Sequence, residues 1–255
     1  MPQPHTSIRI WFSPRTGSTL LCKGLEQTGI AGVPGEYFNI SQGDTFKDHY
    51  QISDFEELKT KLWSLGSSPN GVFAIKQPRH HSDYQRWLAE FRQLKGLPAD
   101  APEAGLMDEL FPNSVHIFLS RRNKVRQAVS WWKAIQDNQW HLTQRDERAQ
   151  EADFYADKYN YDALTHLWKE SQLIEANIDQ YFQQNQIKPL TIMYEDMIRD
   201  YEATIYRVLD FAGLDRSGIE IAPMYYRQSA NELNETWVQR FRQEIQAGWG
   251  ERYPW

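Results

Sequence analysis

The chain has 255 residues and a formal net charge of −6, from 28 Lys and Arg against 34 Asp and Glu. A protein that follows a nucleic-acid backbone carries a basic surplus, so this acidic balance argues against nucleic acid as a partner. A single cysteine, Cys22, excludes an internal disulfide and a cysteine-based zinc site.

Four short apolar runs of strand character occur along the chain and alternate with longer amphipathic stretches. They cover residues 8–12, 72–76, 115–120 and 190–194. This alternation is typical of an α/β domain whose mainly parallel sheet is buried between helices. We expect a single domain over residues 1–255, which is long enough to bury one core.

Helical patterns account for most of the remaining chain. They begin near Gly17, His81, Asn123 and Tyr201, and cover residues 54–65, 161–184 and 235–247. Residues 95–113 are rich in Pro, Gly and acidic side chains, which predicts a surface excursion. Residues 141–158 are polar and charged, which predicts a flap or an exposed helix.

The first strand runs directly into SPRTGSTLL, residues 13–21. Backbone N–H groups at a helix start, together with hydroxyl groups and an Arg, form a site for a phosphate group. Gly17 lets the backbone approach the anion, and Arg15 adds charge. A Walker A loop requires Gly-Lys-Ser/Thr, whereas Ser18 follows Gly17 here, which disfavours an ordinary kinase or NTPase.

This segment resembles the 5′-phosphosulfate loop of sulfotransferases that use 3′-phosphoadenosine 5′-phosphosulfate (PAPS), in particular the bacterial trehalose 2-sulfotransferase-like family. The resemblance implies a three-layer, P-loop-like α/β fold with a central, mainly parallel sheet flanked by helices. It also implies that the 5′-phosphosulfate is held by Arg15, Thr16, Gly17, Ser18 and Thr19. Arg15 would in addition serve the leaving phosphate during catalysis.

A second anion site is predicted where residues 115–120 lead into Arg121, Arg122 and a helix. Ser130 lies about two turns into that helix, so Arg122 and Ser130 can converge on one phosphate. A solvated basic helix face is the alternative reading. The pattern resembles the family's 3′-phosphate motif, which implies that Arg122 and Ser130 bind that phosphate, with Arg121 a weaker candidate.

Two later segments extend the resemblance over nearly the whole chain. YEDM, residues 194–197, resembles a Tyr-Glu-Asp segment that is common in sulfotransferases, and we assign it a structural role at a strand end and helix cap. Arg227, followed by Trp237 and Phe241, is similar to a diverged form of the tail that closes over the nucleotide. The resemblance therefore implies a contact between Arg227 and the 3′-phosphate.

The general base has three candidates. Cytosolic sulfotransferases place a His two residues after a strand Lys, but Pro78 stands at that distance from Lys76. VPGEYFN, residues 33–39, matches a Pro/Glu/aromatic segment of the bacterial branch, which implies Glu36 as the base. His80 and His81 are rivals that also read as a polar pair at a turn. Lys76 either stabilises the sulfonate or ends a strand in solvent.

The acceptor site is predicted only in outline. Glu36 and its neighbours Tyr37 and Phe38 are candidate walls, and so are Trp140 and His141 beyond the end of a predicted helix. Trp132 shares a helical face with apolar residues and is assigned to the core.

The expected function is in-line transfer of a sulfuryl group from PAPS to a hydroxyl of a small acceptor such as a sugar or glycolipid headgroup, leaving 3′,5′-adenosine diphosphate (PAP) and needing no metal. The alternatives are transfer to an amine or a natural-product alcohol, a nucleotide kinase of related fold, and a binding module without turnover. Residues 1–7 are polar and no apolar run could span a bilayer, so we expect a cytoplasmic protein. The resemblance implies a bacterial protein and a homodimer.

Overall fold

The computed structural model describes residues 2–40, 43–78, 81–138, 140, 152–155, 157–225 and 232–247. Their sheet has four parallel strands in the order β2-β1-β3-β4. The strands are β1 (Thr6–Phe12), β2 (Val72–Pro78), β3 (Ser114–Ser120) and β4 (Leu190–Met193). All four predicted strands are therefore confirmed, except that Tyr194 opens a helix instead of ending β4.

Helices connect and cover the strands. In chain order they are α1 (Ser18–Gln27), α2 (Phe46–Tyr50), α3 (Phe55–Gly66), α4 (His81–Leu94), α5 (Glu103–Leu110), α6 (Lys124–Asp137), α7 (Ala152–Tyr155), α8 (Tyr161–Gln184), α9 (Tyr194–Arg199), α10 (Tyr201–Phe211) and α11 (Glu232–Gln246). Within the described ranges, no helix is long and apolar enough to cross a membrane.

Alternating residues of β1 divide the core between the two faces of the sheet. Ile8 and Ile10 pack on one side against apolar residues of α1 and α10. Trp11 points to the other side, where its ring lies 5.0 Å from that of Tyr181 on α8. The sheet is thus enclosed between two helical layers, and the predicted three-layer α/β fold is confirmed.

A third apolar cluster covers the β2 side of the molecule and corrects the prediction for residues 95–113. That segment was expected to be a surface excursion because of its Pro, Gly and acidic residues. Residues 96–100 are exposed as predicted, but the segment also contains α5, whose Leu106, Met107 and Leu110 are buried against residues of α3 and α4. Burial of these three side chains outweighs the weak local preference of the segment for a helix.

The strand order determines where the loops meet. The chain passes from β1 to β2 on one side of β1, and then returns to place β3 on the other side. The carboxyl ends of β1 and β3 are neighbours at this reversal of direction, with Phe12 paired to Leu119. A crevice outside the carboxyl ends of parallel strands, at such a switch point, is where α/β sheets bind ligands.

Candidate active site

The loop after β1 ends at the amino terminus of α1. Gly17 is the N-cap residue, and because glycine has no side chain it makes no capping hydrogen bond to this helix. No acidic residue lies in its first turn either. By contrast, α6 and α8 begin with asparagine side chains that accept a backbone N–H group. The amino terminus of α1 is therefore suited to an external anion, as the sequence predicts.

Gly17 is required at its position for two reasons. Its φ of 81° lies in the left-handed region, which favours glycine. A Cβ atom at Gly17 would also come within 2.7 Å of Met197 Cε and Tyr194 Cδ2. The segment at residues 194–197 thus packs directly on the predicted phosphate loop, residues 13–19, which fits the structural role predicted for it.

Arg15 connects the two predicted phosphate sites. Its Nε donates to Ser130 Oγ at 3.0 Å, and one terminal nitrogen donates to the carbonyl oxygen of Trp140. Arg121 in turn donates from a terminal nitrogen to the carbonyl oxygen of Arg15 at 3.3 Å. The structure therefore brings Arg15 and Ser130 together, although 115 residues separate them in sequence.

Glu195 holds the turn between β3 and α6. Its two carboxylate oxygens accept the backbone N–H groups of Arg122 at 3.0 Å and Asn123 at 3.2 Å. Burial favours a higher pKa for Glu195, but these N–H groups and nearby Arg121 outweigh it and lower the pKa. The carboxylate therefore acts as a fixed internal anion, which sequence reasoning described only as a helix cap.

The two arginines of this turn have different environments. The side chain of Arg122 is about half exposed and forms a bidentate pair with Asp196, which raises the pKa of Arg122 and lowers that of Asp196. Arg121 is 12% exposed, and its guanidinium lies over the ring of Tyr194. Its buried Nε has no hydrogen-bond acceptor among the described residues. A buried N–H group without an acceptor is suited to a ligand oxygen.

Lys76 links the phosphate loop to the predicted base. Its Nζ donates to Thr19 Oγ1 at 2.9 Å and forms an ion pair with Glu36. Lys76 is only 6% exposed, so it does not end its strand in solvent. The contact with Glu36 follows from the backbone, because Lys76 N–H donates to the Gly35 carbonyl at 2.9 Å and places residues 33–39 beside β2.

The two aromatic residues after Glu36, Tyr37 and Phe38, contact the protein core and the backbone of a neighbouring helix. Phe38 is 1% exposed, and its ring packs against those of Phe46, Trp87 and Phe91. The structure thus places Phe38 in the core and not on a pocket wall. The hydroxyl of Tyr37 lies 2.9 Å from the carbonyl oxygen of Leu65, which ties the loop to α3.

The other predicted contacts are only partly described. Trp140 is 40% exposed, which is compatible with a position on the rim of a site. Trp132 is partly buried against the cluster around α6 and α8, as predicted. His80, His141 and Arg227 lie outside the described residues, as does most of the predicted flap at residues 141–158. No group of three or more metal-ligating side chains occurs within the described ranges.

Sequence reasoning missed Glu175. It lies on α8 within hydrogen-bond distance of Ser13 and Ser120, which border the two loops. The available signal was its position, because Glu175 continues the buried stripe formed by Leu164, Leu167 and Ser171. A carboxylate in such a stripe is partnered by other polar groups, but its partners lie too far away in sequence to be predicted.

Residues 7–244, which include both of these loops, match the family described as Stf0 sulphotransferase. The chain belongs to the Stf0 sulphotransferase family. The Stf0 match spans both loops, Glu36 and most of α11, so this protein is a sulfotransferase enzyme. It confirms the resemblance stated from the sequence.

Two curated relatives extend the comparison. This Stf0 protein is 28% identical over 254 residues to "Trehalose 2-sulfotransferase" of Mycobacterium tuberculosis, with 90% of this chain and 92% of the relative covered. It is 26% identical over 274 residues to the protein of the same name from Mycolicibacterium smegmatis, with 96% and 98% covered.

Solved structures of low sequence identity also align with this Stf0 protein. A sulfotransferase from Alicyclobacillus acidocaldarius is 15% identical with a TM-score of 0.49, and the alignment covers 97% of this chain and 96% of that one. The sulfotransferase domain of an olefin synthase from Synechococcus PCC 7002 is 16% identical with a TM-score of 0.39, covering 100% and 98%.

Proposed function

We propose that this sulfotransferase transfers a sulfuryl group from PAPS to a hydroxyl of a small acceptor, with Glu36 as the general base. The observation that carries the proposal is the position of Lys76, which contacts both Glu36 and Thr19 of the phosphate loop. A base for the acceptor and a loop for the donor are thus joined by one buried cation.

The loop after β1 fits the 5′ end of PAPS. Gly17 has no side chain with which to cap α1. Arg121 lies against the Arg15 carbonyl, and its buried Nε, which is 4.0 Å from Glu195 Oε1, has no hydrogen-bond acceptor among the described residues. Both features are suited to anionic oxygens. The residues that would hold the 5′-phosphosulfate are Arg15, Thr16, Gly17, Ser18 and Thr19.

The turn after β3 supplies the proposed contacts to the 3′-phosphate. Arg122 and Ser130 carry this assignment, and Arg227 is added from the family resemblance alone. Asp196 holds the two terminal nitrogens of Arg122, which orients the guanidinium and leaves its Nε–H side for a second anion. Ser130 lies next to Arg15, so the two phosphate groups of the donor would contact neighbouring side chains.

PAPS supplies the sulfuryl group, and the side chains guide the exchange of bonds. The S–O bond to the acceptor oxygen forms while the S–O bond to the 5′-phosphate breaks, so that PAP leaves. Glu36 takes the hydroxyl proton. Lys76 and Arg15 stabilise negative charge on the sulfonate and on the leaving phosphate. These groups are held in place before reaction, which lowers the cost of orientation.

The proposed acceptor class is supported by the exposure of Glu36 and by the names of the relatives. Glu36 is 37% exposed, so a substrate hydroxyl can reach it from the surface. Tyr37, Trp140 and His141 remain the proposed acceptor contacts, whereas Phe38 is enclosed in the core. The curated relatives are named for trehalose, which makes that disaccharide the first acceptor to test among sugars, glycolipid headgroups and other hydroxylated metabolites.

The experiment that tests the proposal is a turnover assay with PAPS and a panel of acceptors that includes trehalose, simple sugars, alcohols and amines. The expected result is PAP formation that depends on a hydroxylated acceptor, with a sulfated product of matching mass. Consumption of ATP with phosphorylation of the acceptor would overturn the proposal in favour of a kinase. Exclusive sulfation of amines would overturn the assigned acceptor class.

A further inference from the structure

Glu175 extends from the middle of α8 to the carboxyl edge of the sheet. Its Oε1 accepts a hydrogen bond from Ser13 Oγ at 2.7 Å, and its Oε2 accepts one from Ser120 Oγ at 2.8 Å. Ser13 directly follows β1, and Ser120 is the last residue of β3. One carboxylate therefore connects the starting points of both loops of the site.

Lys124 balances the charge of Glu175. Its Nζ lies 2.6 Å from Glu175 Oε1 and 3.2 Å from Ser120 Oγ. The two charged side chains are 22% and 14% exposed. An unpaired carboxylate here would repel an anion bound at either loop, so the pairing lets Glu175 lie close to a phosphate site.

Gln127 completes the network on the α6 side. This fully buried side chain donates from Nε2 to Ser13 Oγ and to the Pro14 carbonyl oxygen, both at 2.8 Å. The Ser13 hydroxyl accepts from Gln127 and donates to Glu175, so its orientation is fixed. Satisfied buried networks of this kind hold their members in one arrangement.

We propose that Glu175 is a positioning residue that sets the spacing between the phosphate loop and the turn after β3. The inference rests on the proposed function, which assigns the 5′-phosphate to one loop and the 3′-phosphate to the other. Glu175 acts through Ser13 and Ser120. A nucleotide with both phosphates requires the correct separation of the loops, whereas a monophosphate requires only one loop.

The test compares the affinities of PAP, 5′-AMP and 3′-AMP by calorimetry for the wild type and Glu175→Gln. The variant should lower PAP affinity roughly 10-fold or more, from the loss of a charge-assisted network. Each monophosphate should change by less than about threefold, since single loops can readjust. Asp179→Asn is the matched control, because Asp179 is exposed one turn further along α8 and should leave all three affinities unchanged.

Two results would overturn the inference: an equal loss of affinity for all three nucleotides, or no loss for PAP. If Glu175→Gln does not fold, Ser120→Ala carries the same test, because it removes one of the two serine links and keeps the pair with Lys124. Failure of the wild type to bind PAP would contradict the proposed function itself. Normal wild-type binding with a uniform loss in the variants contradicts only the role of Glu175.

Discussion

The buried ammonium group of Lys76 lies 2.9 Å from the hydroxyl oxygen of Thr19, on the first helix after the phosphate loop. The same ammonium forms an ion pair with Glu36. Lys76 thus couples the geometry of the donor loop to that of the proposed base. This shared contact is the basis of the first two predictions.

Replacing the proposed base should separate catalysis from donor binding. Glu36→Gln keeps the shape of the side chain but removes its ability to take a proton, so kcat should fall roughly 10²–10⁴-fold. PAP affinity should change little, because Glu36 is assigned to the acceptor side. Steady-state kinetics and calorimetry measure the two quantities. Glu56→Gln, an exposed residue of α3, is the control, and equal kcat values for the two variants would contradict the assignment.

Lys76→Met should damage activity more than stability. Met has a similar volume and can keep the contact with the ring of Phe12, and Glu36, which is 37% exposed, can be solvated without its partner. The free energy of unfolding should therefore change by less than about 1.5 kcal/mol. The loss of the cation should lower kcat/KM on the order of 10²-fold. Lys23→Met on the surface of α1 controls for the chemistry of the substitution. Wild-type kcat/KM in Lys76→Met would contradict the stabilising role.

Gly17→Ala tests the close contact between the phosphate loop and residues 194–197. Gly29→Ala is the matched control, because Gly29 also has positive φ but has no atom within 4 Å of the added Cβ. Both variants should lose about 1–2 kcal/mol of unfolding free energy from backbone strain. Only Gly17→Ala should lose a further ~1–3 kcal/mol from overpacking, together with PAP affinity. Equal losses in urea denaturation would contradict a steric role.

Acid should destabilise the fold through His116. Burial, with the charge of Arg9 nearby, lowers the pKa of His116 from 6.5 to about 3. As pH falls below about 6.5, His116 takes up a proton in the unfolded chain but not yet in the folded chain. The stabilising contribution of neutral His116 is therefore fully present above that pH and is lost as pH falls towards 3. The slope from this group is at most ~1.4 kcal/mol per pH unit.

His116→Asn isolates this effect. The amide oxygen of Asn can accept the hydrogen bond that Trp11 Nε1 gives to His116 Nδ1 at 3.0 Å, but Asn does not titrate. Its free energy of unfolding between about pH 5 and 7 should therefore depend less on pH than that of the wild type. The free energies are measured by urea denaturation, and the same pH dependence in His116→Asn and the wild type would contradict the assignment.

Helices and strands with a clear local residue pattern were predicted correctly from the sequence. The strand-to-helix segment around Gly17 and the apolar runs of the four strands indicated the fold before any contact was known. The same signals failed for α5, where a Pro- and Gly-containing segment is helical because Leu106, Met107 and Leu110 are buried by distant residues. Local composition does not report such tertiary burial.

The side-chain contacts of the site were harder to predict than the loops. The sequence left Lys76 equally suited to catalysis or to solvent, because its contact with Glu36 joins residues 40 positions apart. Phe38 was expected at the acceptor because it follows Glu36, yet its ring points into the core. Side-chain directions follow a regular period only in helices and strands, so the direction of a side chain in an irregular loop cannot be predicted from its position in the sequence.

The measurement that tests the central claim most directly is calorimetric binding of PAP and of 5′-ADP to the wild type, Arg122→Ala and Ser130→Ala. The wild type should bind PAP at least ~100-fold more tightly than 5′-ADP, and each variant should reduce that preference by roughly 10-fold or more, since each removes a proposed contact to the 3′-phosphate. Equal or tighter binding of 5′-ADP by the wild type would contradict the assignment of PAPS as the donor.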